Sequence, residues 1–412
     1  MTRLNFQLSR KRRRQIPQCW QRMFVICILL WLVLSLWLSP VVSPGKLSTQ
    51  ELRGVWMTNL GAALMYYTTR MDEAVAHIAE HRLNTIYPAV WNRGYTLHPS
   101  EIALQAGGRK RDPLTSLPLL PVQDSLAGLV YQARRQHLRL IPWFEYGLML
   151  PTKSPIARKH PNWLTNTQSG SQGSGWLNPF HPQVQQLLVD LIVEVVQRYP
   201  VDGIQLDDHF GLPIEFGYDS YTTKLYQSDH NGAIPPSNPA EPEWIAWRAE
   251  RLTQLMMKIT NAVKTARPEA IVCLSPHPPS FAYQKYLQDW TRWVELGLVD
   301  EVIVQVYRQD LAALKAELSN NKIRSLLHQS VPISVGLYTG PVLAAKQIQN
   351  LAHEVEVVRA AGYKGVSFFC WETTFWLFKR SPEKQVRQTF LKLFPAASEA
   401  SFRRKQPDKI VS

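Results

Sequence analysis

The sequence predicts an α/β fold, a (β/α)8 TIM barrel with long loops after strands 2, 3 and 4. Three observations carry that expectation. Strand-like and helix-like patterns alternate eight times between Glu51 and Phe394, the content of one such barrel with enlarged loops. The short apolar run Val201–Phe210, VDGIQLDDHF, ends in two adjacent carboxylates, and barrel enzymes keep their chemistry at the C-terminal ends of their strands. No Gly-rich phosphate fingerprint follows the first strand, which counts against a doubly wound sheet.

The 412 residues divide into a front segment over 1–50, a barrel over 51–394 and a polar, basic tail over 395–412. The formal charge of +14 misleads. Eight of the 46 Lys+Arg and none of the 32 Asp+Glu precede Glu51, so the remainder carries 38 against 32, or +6. That balance, without a basic helical stripe or zinc-finger spacing, is no nucleic-acid signature. The front reads as a targeting segment: Arg10-Lys11-Arg12-Arg13-Arg14, the uncharged run Met23–Leu38, then Ser39, Pro40 and further small residues. This order describes a secretory signal peptide or an uncleaved membrane anchor. The basic cluster favours a cytoplasmic N-terminus and an exported body, placed in the periplasm or cell envelope. Cys19 and Cys27 fall in this segment, while Cys273 and Cys370 sit in apolar runs, so no disulfide framework is expected.

From Glu51, ELRGVWMTN reads as the first strand, and Met71–Arg82 is an amphipathic helix. Thr85–Trp91 is the second strand, followed by a helix over Val122–His137. Leu138–Tyr146 is the third, and Gln183–Tyr199 places Val184, Leu187, Leu188, Leu191 and Val195 at helical spacing. The fourth strand is the one that ends in the two acids, and Trp244–Ala266 is its long helix. Ala270–Ser275 with Tyr286–Leu296, and Val299–Tyr307 with Leu311–Leu318, form the fifth and sixth pairs. Val331–Tyr338 with Lys346–Ala360, then Tyr363–Trp371 with Glu383–Leu393, complete the ring. The insertions Asn92–Pro121, Gly147–Phe180 and Gly211–Glu243 exceed ordinary loop lengths. Their content (Trp91, Tyr95, His98, His160, Trp163, Trp176, Tyr218, Tyr221) suits a sugar cleft.

The strand ends then supply the candidate site. Asn59, Trp91, Asn92, Arg93, Trp143, Gln205, His277, Tyr307, Tyr338 and Trp371 are the expected substrate-binding groups. Glycoside hydrolysis needs one carboxyl group to protonate the leaving oxygen and a second to attack or to activate water. Asp207 is the expected nucleophile or base, with Gln205 on the same strand face. Asp208 faces the other way if the strand stays regular, which suits packing or capping, although a twisted strand end lets it compete. The acid partner stays open among Glu145, Glu372 and Asp208, with the loop residues Asp219 and Glu215 behind them. No lysine stands at these ends for Schiff-base chemistry. Asp207, Asp208, His209 and His277 raise a hydrolytic metal site, but no His-x-His, HExxH or calcium-loop spacing accompanies them. No metal and no cofactor is expected.

Several motifs in order carry a resemblance: ELRGVW (Glu51–Trp56), Arg93 with HPS (His98–Ser100) and HPNW (His160–Trp163). NPFHPQV (Asn178–Val184), DGIQLDD (Asp202–Asp208) and QVYR (Gln305–Arg308) continue it. Over about Glu51–Phe394 the chain resembles glycosyl-hydrolase-like family 10, a group of exported bacterial (β/α)8 proteins common in cyanobacteria. The resemblance implies a periplasmic or envelope glycoside hydrolase, since some members are linked to cleavage of peptidoglycan glycan strands lacking stem peptides. It places the family's fourth-strand acid on Asp207, with Asp208 beside it. Many relatives carry a His-Ala-Trp-type third strand, where this chain has PWFEY (Pro142–Tyr146). The fourth strand is also similar to the DGxRxD strand of α-amylase-like barrels, but Gln205 replaces the Arg and SPHP (Ser275–Pro278) offers no fifth-strand Glu. A noncatalytic carbohydrate-binding envelope protein on the same scaffold is the competing expectation, favoured if Asp207 is buried and fully paired.

Overall fold

A computed structural model describes residues 18–37, 51–59, 61, 71–115, 124–376 and 378–395. The front linker, part of the insertion after the second strand and the tail beyond 395 therefore lie outside the described residues. The chain divides into two compact units, Met1–Pro40 and Val41–Ser412. In the first, Gln18–Trp37 is one helix. Among the described residues no helix is long and apolar enough to cross a membrane. The side chains of the uncharged run beyond Trp31 fall outside those described.

In the second unit, eight parallel strands form a nearly closed barrel. They are Leu52–Met57, Thr85–Pro88, Arg139–Leu140, Gly203–Asp207, Ile271–Ser275, Glu301–Val306, Ile333–Tyr338 and Gly365–Phe369. Counted along the chain, the sheet order is 3-2-1-8-7-6-5-4. A parallel bridge between Trp143 and Gln205 joins the third strand to the fourth. The Gln205 amide donates to Pro142 O and the Phe144 amide to Gln205 O, both at 2.8 Å. Strands buried on both faces read as near-continuous apolar runs; the sixth strand, EVIVQV, is buried along its whole length and apolar at Val302, Ile303, Val304 and Val306.

Helices cover the outside through apolar stripes. Pro182–Arg198 starts at Pro182, where a missing N–H costs nothing, and buries Val184, Leu187, Leu188, Leu191, Ile192 and Val195. Three expected elements differ. The third strand, expected over Leu138–Tyr146, is regular only over Arg139–Leu140. Tyr286–Leu296 is not one helix; Pro279–Tyr286 and Trp290–Glu295 replace it. Leu287 adopts a left-handed conformation (φ 59°) that ends the first of them. The second strand stops at Pro88, and Trp91–Asn92 pairs with Tyr95–Thr96 as a separate hairpin. Arg93 and Gly94 both have positive φ, 53° and 81°, as a tight two-residue hairpin turn requires.

The barrel interior is a polar ladder set among aromatic rings. Trp56 Nε1 donates to Gln205 Oε1 at 2.6 Å, and Gln205 Nε2 donates to Cys273 Sγ at 3.1 Å. Below them Glu301 accepts from the Tyr87 hydroxyl and from Arg139, each at 3.0 Å. Gln205 therefore lies one layer beneath the mouth with both ends of its amide engaged. That corrects its expected contact with substrate: it braces the fourth strand from inside.

The insertions after the third and fourth strands are tied together. Thr167 bridges Phe216, and buried Asp219 accepts from Thr165 Oγ1 at 2.8 Å, Asn178 Nδ2 at 2.9 Å and the Thr222 amide at 3.0 Å. Asp219 is thus a structural hub, and Glu215 is exposed. Arg248, fully buried, holds the second insertion by donating to Ile214 O and Phe216 O at 2.6 Å and to Pro239 O at 2.8 Å. Its guanidinium also lies over Trp244, 4.3 Å from the ring centroid. Methionine there fills similar space but leaves three carbonyls short of a donor. Arg248→Met is expected to destabilise the fold by about 3 kcal/mol, each stranded acceptor costing on the order of 1 kcal/mol or more. Calorimetry checks this; a loss within a few tenths of a kcal/mol would show that water replaces the guanidinium.

Candidate active site

The fourth strand ends at Asp207, and the chain turns at once over 208–210. Gln288 secures that turn by donating to Asp207 O at 2.8 Å and to Phe210 O at 3.0 Å. Alternation therefore stops before Asp208. Its carboxylate is not packed behind the site: Oδ1 accepts from Gln305 Nε2 at 2.8 Å, and Oδ2 lies 3.1 Å from His277 Nε2. Gln305 ends the sixth strand and His277 follows the fifth, so Asp208 stands over the barrel mouth.

The two neighbouring acids differ sharply. Asp207 is 1% exposed, and both oxygens are taken. Trp143 Nε1 donates to Oδ2 at 2.8 Å, and the His209 amide donates to Oδ1 at 3.0 Å. Burial, with the charge of Asp208 beside it, raises the Asp207 carboxyl to about 6. The Asp208 side chain is 17% exposed. Burial also works against its charge, but hydrogen bonds from His277 and Gln305 and the nearby His209 hold it down at about 2. At neutral pH Asp208 is the firmly ionised acid of the pair.

Glu145 completes the group. It lies in the turn just beyond the Trp143–Gln205 bridge, near enough for the Asp207 charge to act on it. Burial raises its carboxyl to about 7, with Asp207 and Glu372 adding like charge and a hydrogen bond from Asn92 opposing. Asn92 Nδ2 donates to Glu145 Oε2 at 2.5 Å, so Asn92 orients an acid instead of meeting substrate directly. His209 stands among all three, with Nδ1 3.7 Å from one oxygen each of Asp207 and Asp208. Burial disfavours its charge, yet Asp207, Asp208 and Glu145 lift it to about 10. Tyr146 and Trp176 lie nearly parallel to its ring, at 5.7 and 6.1 Å between centroids.

Ligand atoms of Asp207, Asp208 and His209 all lie within 4.8 Å of one another. Both Asp207 oxygens already accept N–H groups, and the surrounding carboxylates favour a protonated His209. The donor set therefore fits a charge-balanced cluster.

The remaining expected residues separate into two groups. Tyr307 and Tyr338 flank the mouth with Phe369, whose ring stacks on Tyr307 at 5.3 Å. The Tyr307 hydroxyl has no hydrogen-bond partner among the described residues, and burial, with the charges of Asp208 and Asp207, raises it well above the usual phenol range. Phe369 was missing from the expected set; its signal is the aromatic pair before Cys370. The others serve the frame. Trp143 holds Asp207, and His277 holds Asp208. Trp91 is fully buried and donates to Gly147 O at 3.1 Å. Trp371 is buried in a helical turn against Trp376, and among the loop aromatics His98 and Trp163 are buried too. Glu372 Oε1 accepts from the Thr58 amide at 3.0 Å and hydroxyl at 2.6 Å, which ties it to the first strand's end. Arg93, 44% exposed, stands 3.6 Å from Asp112, to which Asn59 also donates.

Comparison with known proteins agrees with this barrel. The profile of the family described as glycosyl hydrolase-like 10 matches residues 51–357. The chain is 26% identical over 306 residues to glycosyl hydrolase DigH of Escherichia coli K12, covering 63% of this chain and 66% of DigH. The match thus spans just under two thirds of that relative's length. It is 24% identical over 211 residues to glycosyl hydrolase YngK of Bacillus subtilis, covering 45% of this chain and 39% of YngK. Among solved structures, the PgaB (BpsB) glycoside hydrolase domain from Bordetella bronchiseptica superposes with a TM-score of 0.63 at 12% identity. It covers 82% of this chain and 99% of that domain. A β-galactosidase from Rahnella sp. R3 gives 0.61 at 12% identity, over 86% of this chain and 57% of that one. At such identities these two show a shared barrel. The chain belongs to the glycosyl hydrolase-like 10 family.

Proposed function

We propose that this protein is an exported glycoside hydrolase that cuts an envelope polysaccharide, with peptidoglycan glycan strands as the first substrate to test. One observation carries the reading: neighbouring carboxyl groups on one barrel mouth have environments that drive them apart. Asp208 is held near 2 and Glu145 near 7, and a pair separated in this way supplies an ionised carboxylate and a proton donor at the same pH. In the proposed division of roles, Asp208 is the base or nucleophile and Glu145 protonates the leaving oxygen. Asp207 is the positioning acid: it anchors the turn and keeps His209 charged. Tyr307, Tyr338 and Phe369 offer the flat apolar faces on which a sugar ring rests. The basic cluster ahead of Gln18–Trp37 supports export, with the front segment serving either as a signal or as a retained anchor.

Burial and pairing of Asp207 is the observation that favours the second reading, a carbohydrate-binding protein without catalysis. Digestion distinguishes them. The full-length chain, incubated with purified peptidoglycan glycan strands with and without stem peptides, is expected to release shorter glycans resolved by mass spectrometry. Tight binding without any product, across several envelope polysaccharides, would overturn the hydrolase reading.

A further inference from the structure

A second cluster lies away from the barrel mouth, where the helix Glu383–Leu393 meets the end of Met71–Glu80, the helix before the second strand. His77 and His81 are four residues apart, the spacing that brings two side chains to one helix face. His77 Nε2 lies 2.6 Å from Glu383 Oε1, and His81 Nε2 lies 3.6 Å from the same oxygen. His81 is wholly buried between the rings of Phe375 and Phe390, 4.9 and 5.6 Å away. Its Nδ1 stands 2.7 Å from His77 O. A carbonyl accepts only, so Nδ1 carries the proton, and neutral His81 turns the lone pair of Nε2 toward the carboxylate. Nε2 has no hydrogen-bond partner. Two electron-rich atoms thus face each other across a buried gap with no hydrogen between them.

We propose that His77, His81 and Glu383 bind a divalent transition metal ion, zinc foremost, in a structural site that pins Glu383–Leu393 to Met71–Glu80. The ligand atoms of the three residues already lie within 4.8 Å of one another. Two histidine nitrogens and one carboxylate suit zinc, and a histidine whose far nitrogen donates to a backbone carbonyl is a pre-oriented ligand. Ligands about 2.1 Å from one tetrahedral ion stand about 3.4 Å apart, so His81 and Glu383 are nearly in place. His77 and Glu383 must separate slightly. Both are free to do so, with side chains 27% and 47% exposed. Lys379 Nζ lies 3.4 Å from Glu383 Oε2, leaving Oε1 for the ion, and water from the open side completes four ligands. The site would close the barrel by joining its two chain-distant ends.

The full-length chain, stripped with chelator and re-dialysed against ZnCl2, is expected to take up one equivalent by elemental analysis. Its melting temperature should rise with that uptake, and Co2+ should give the visible absorption of a tetrahedral site. His77→Ala, at a partly buried side chain, and Glu383→Gln, at an exposed one, are expected to weaken binding by about tenfold or more and to abolish the stabilisation. Failure of the unaltered chain to bind stoichiometrically overturns the proposal. So does uptake unchanged in both variants, which would place the ion elsewhere.

Discussion

Asp208→Asn is expected to lower kcat for glycan cleavage by about 1,000-fold, the size of effect a positioned catalytic carboxylate contributes, while KM and melting temperature change little. The amide keeps the volume of the acid, and its carbonyl oxygen accepts from Gln305. The His277 imidazole, unlike the indole and backbone donors at Asp207, can turn an acceptor Nε2 to the new NH2 by changing tautomer. What it loses is the negative charge that attacks, or that takes a proton from water. A small carboxylate or azide supplied in solution should restore part of the rate, because Asp208 faces the open mouth. Equal turnover by the variant would remove Asp208 from the chemistry.

Asp207→Asn should fail differently. Both oxygens of Asp207 accept N–H groups, from Trp143 and from the His209 amide. An asparagine must present its NH2 to one of those donors, leaving a buried conflict worth about 1–3 kcal/mol of stability. It also removes a charge that keeps His209 protonated. The signature is therefore a lower melting temperature together with reduced activity, and no rescue by small anions. That contrast separates a positioning acid from a catalytic one where both variants are slow.

The fold was legible because its signals are local and repeated. Apolar runs bounded by turns, with amphipathic stretches between them, recur eight times, and the stripe in Pro182–Arg198 can be read residue by residue. The site was legible only to the level of which strand ends matter. Alternation along Gly203–Asp207 holds while the strand persists, but the turn after it is secured by Gln288, distant in sequence, and no local pattern announces that contact. Alternation alone sets Asp208 behind the site unless the strand end twists, and it is the turn that carries it over the mouth. The same limit applies to Trp143 and Gln205. A strand-end rule identifies the face of a barrel, yet it does not tell the mouth from the layer below it, where an indole or an amide orients an acid. His209, charged among three carboxylates, stood in the sequence as one more polar residue; its role follows only from what surrounds it.

The pH profile tests the acid. With Glu145 near 7, Asp207 near 6 and Asp208 near 2, kcat/KM should fall above pH 7, tenfold per unit, as Glu145 loses the proton it must deliver. It should decline more gently below about pH 6 as Asp207 takes up a proton and loosens its hold on His209. The limb from protonation of Asp208 lies below the range in which most folds survive. Glu145→Gln retains a hydrogen bond with Asn92 but carries no transferable proton. Its rate on natural glycans is expected to drop by about 100-fold or more, and the fall above pH 7 should vanish. Aryl glycosides with acidic phenol leaving groups need little protonation, so the same variant should cleave them at a rate close to that of the unaltered chain. A basic limb that persists in Glu145→Gln would assign the proton elsewhere. Asp207, near 6, and Glu372 would then be the groups to replace. Removing the Asp207 charge also relieves the like-charge pressure on Glu145. Whatever activity remains in Asp207→Asn should therefore show its basic limb at lower pH, a shift that binds the three carboxyl groups into one titrating unit.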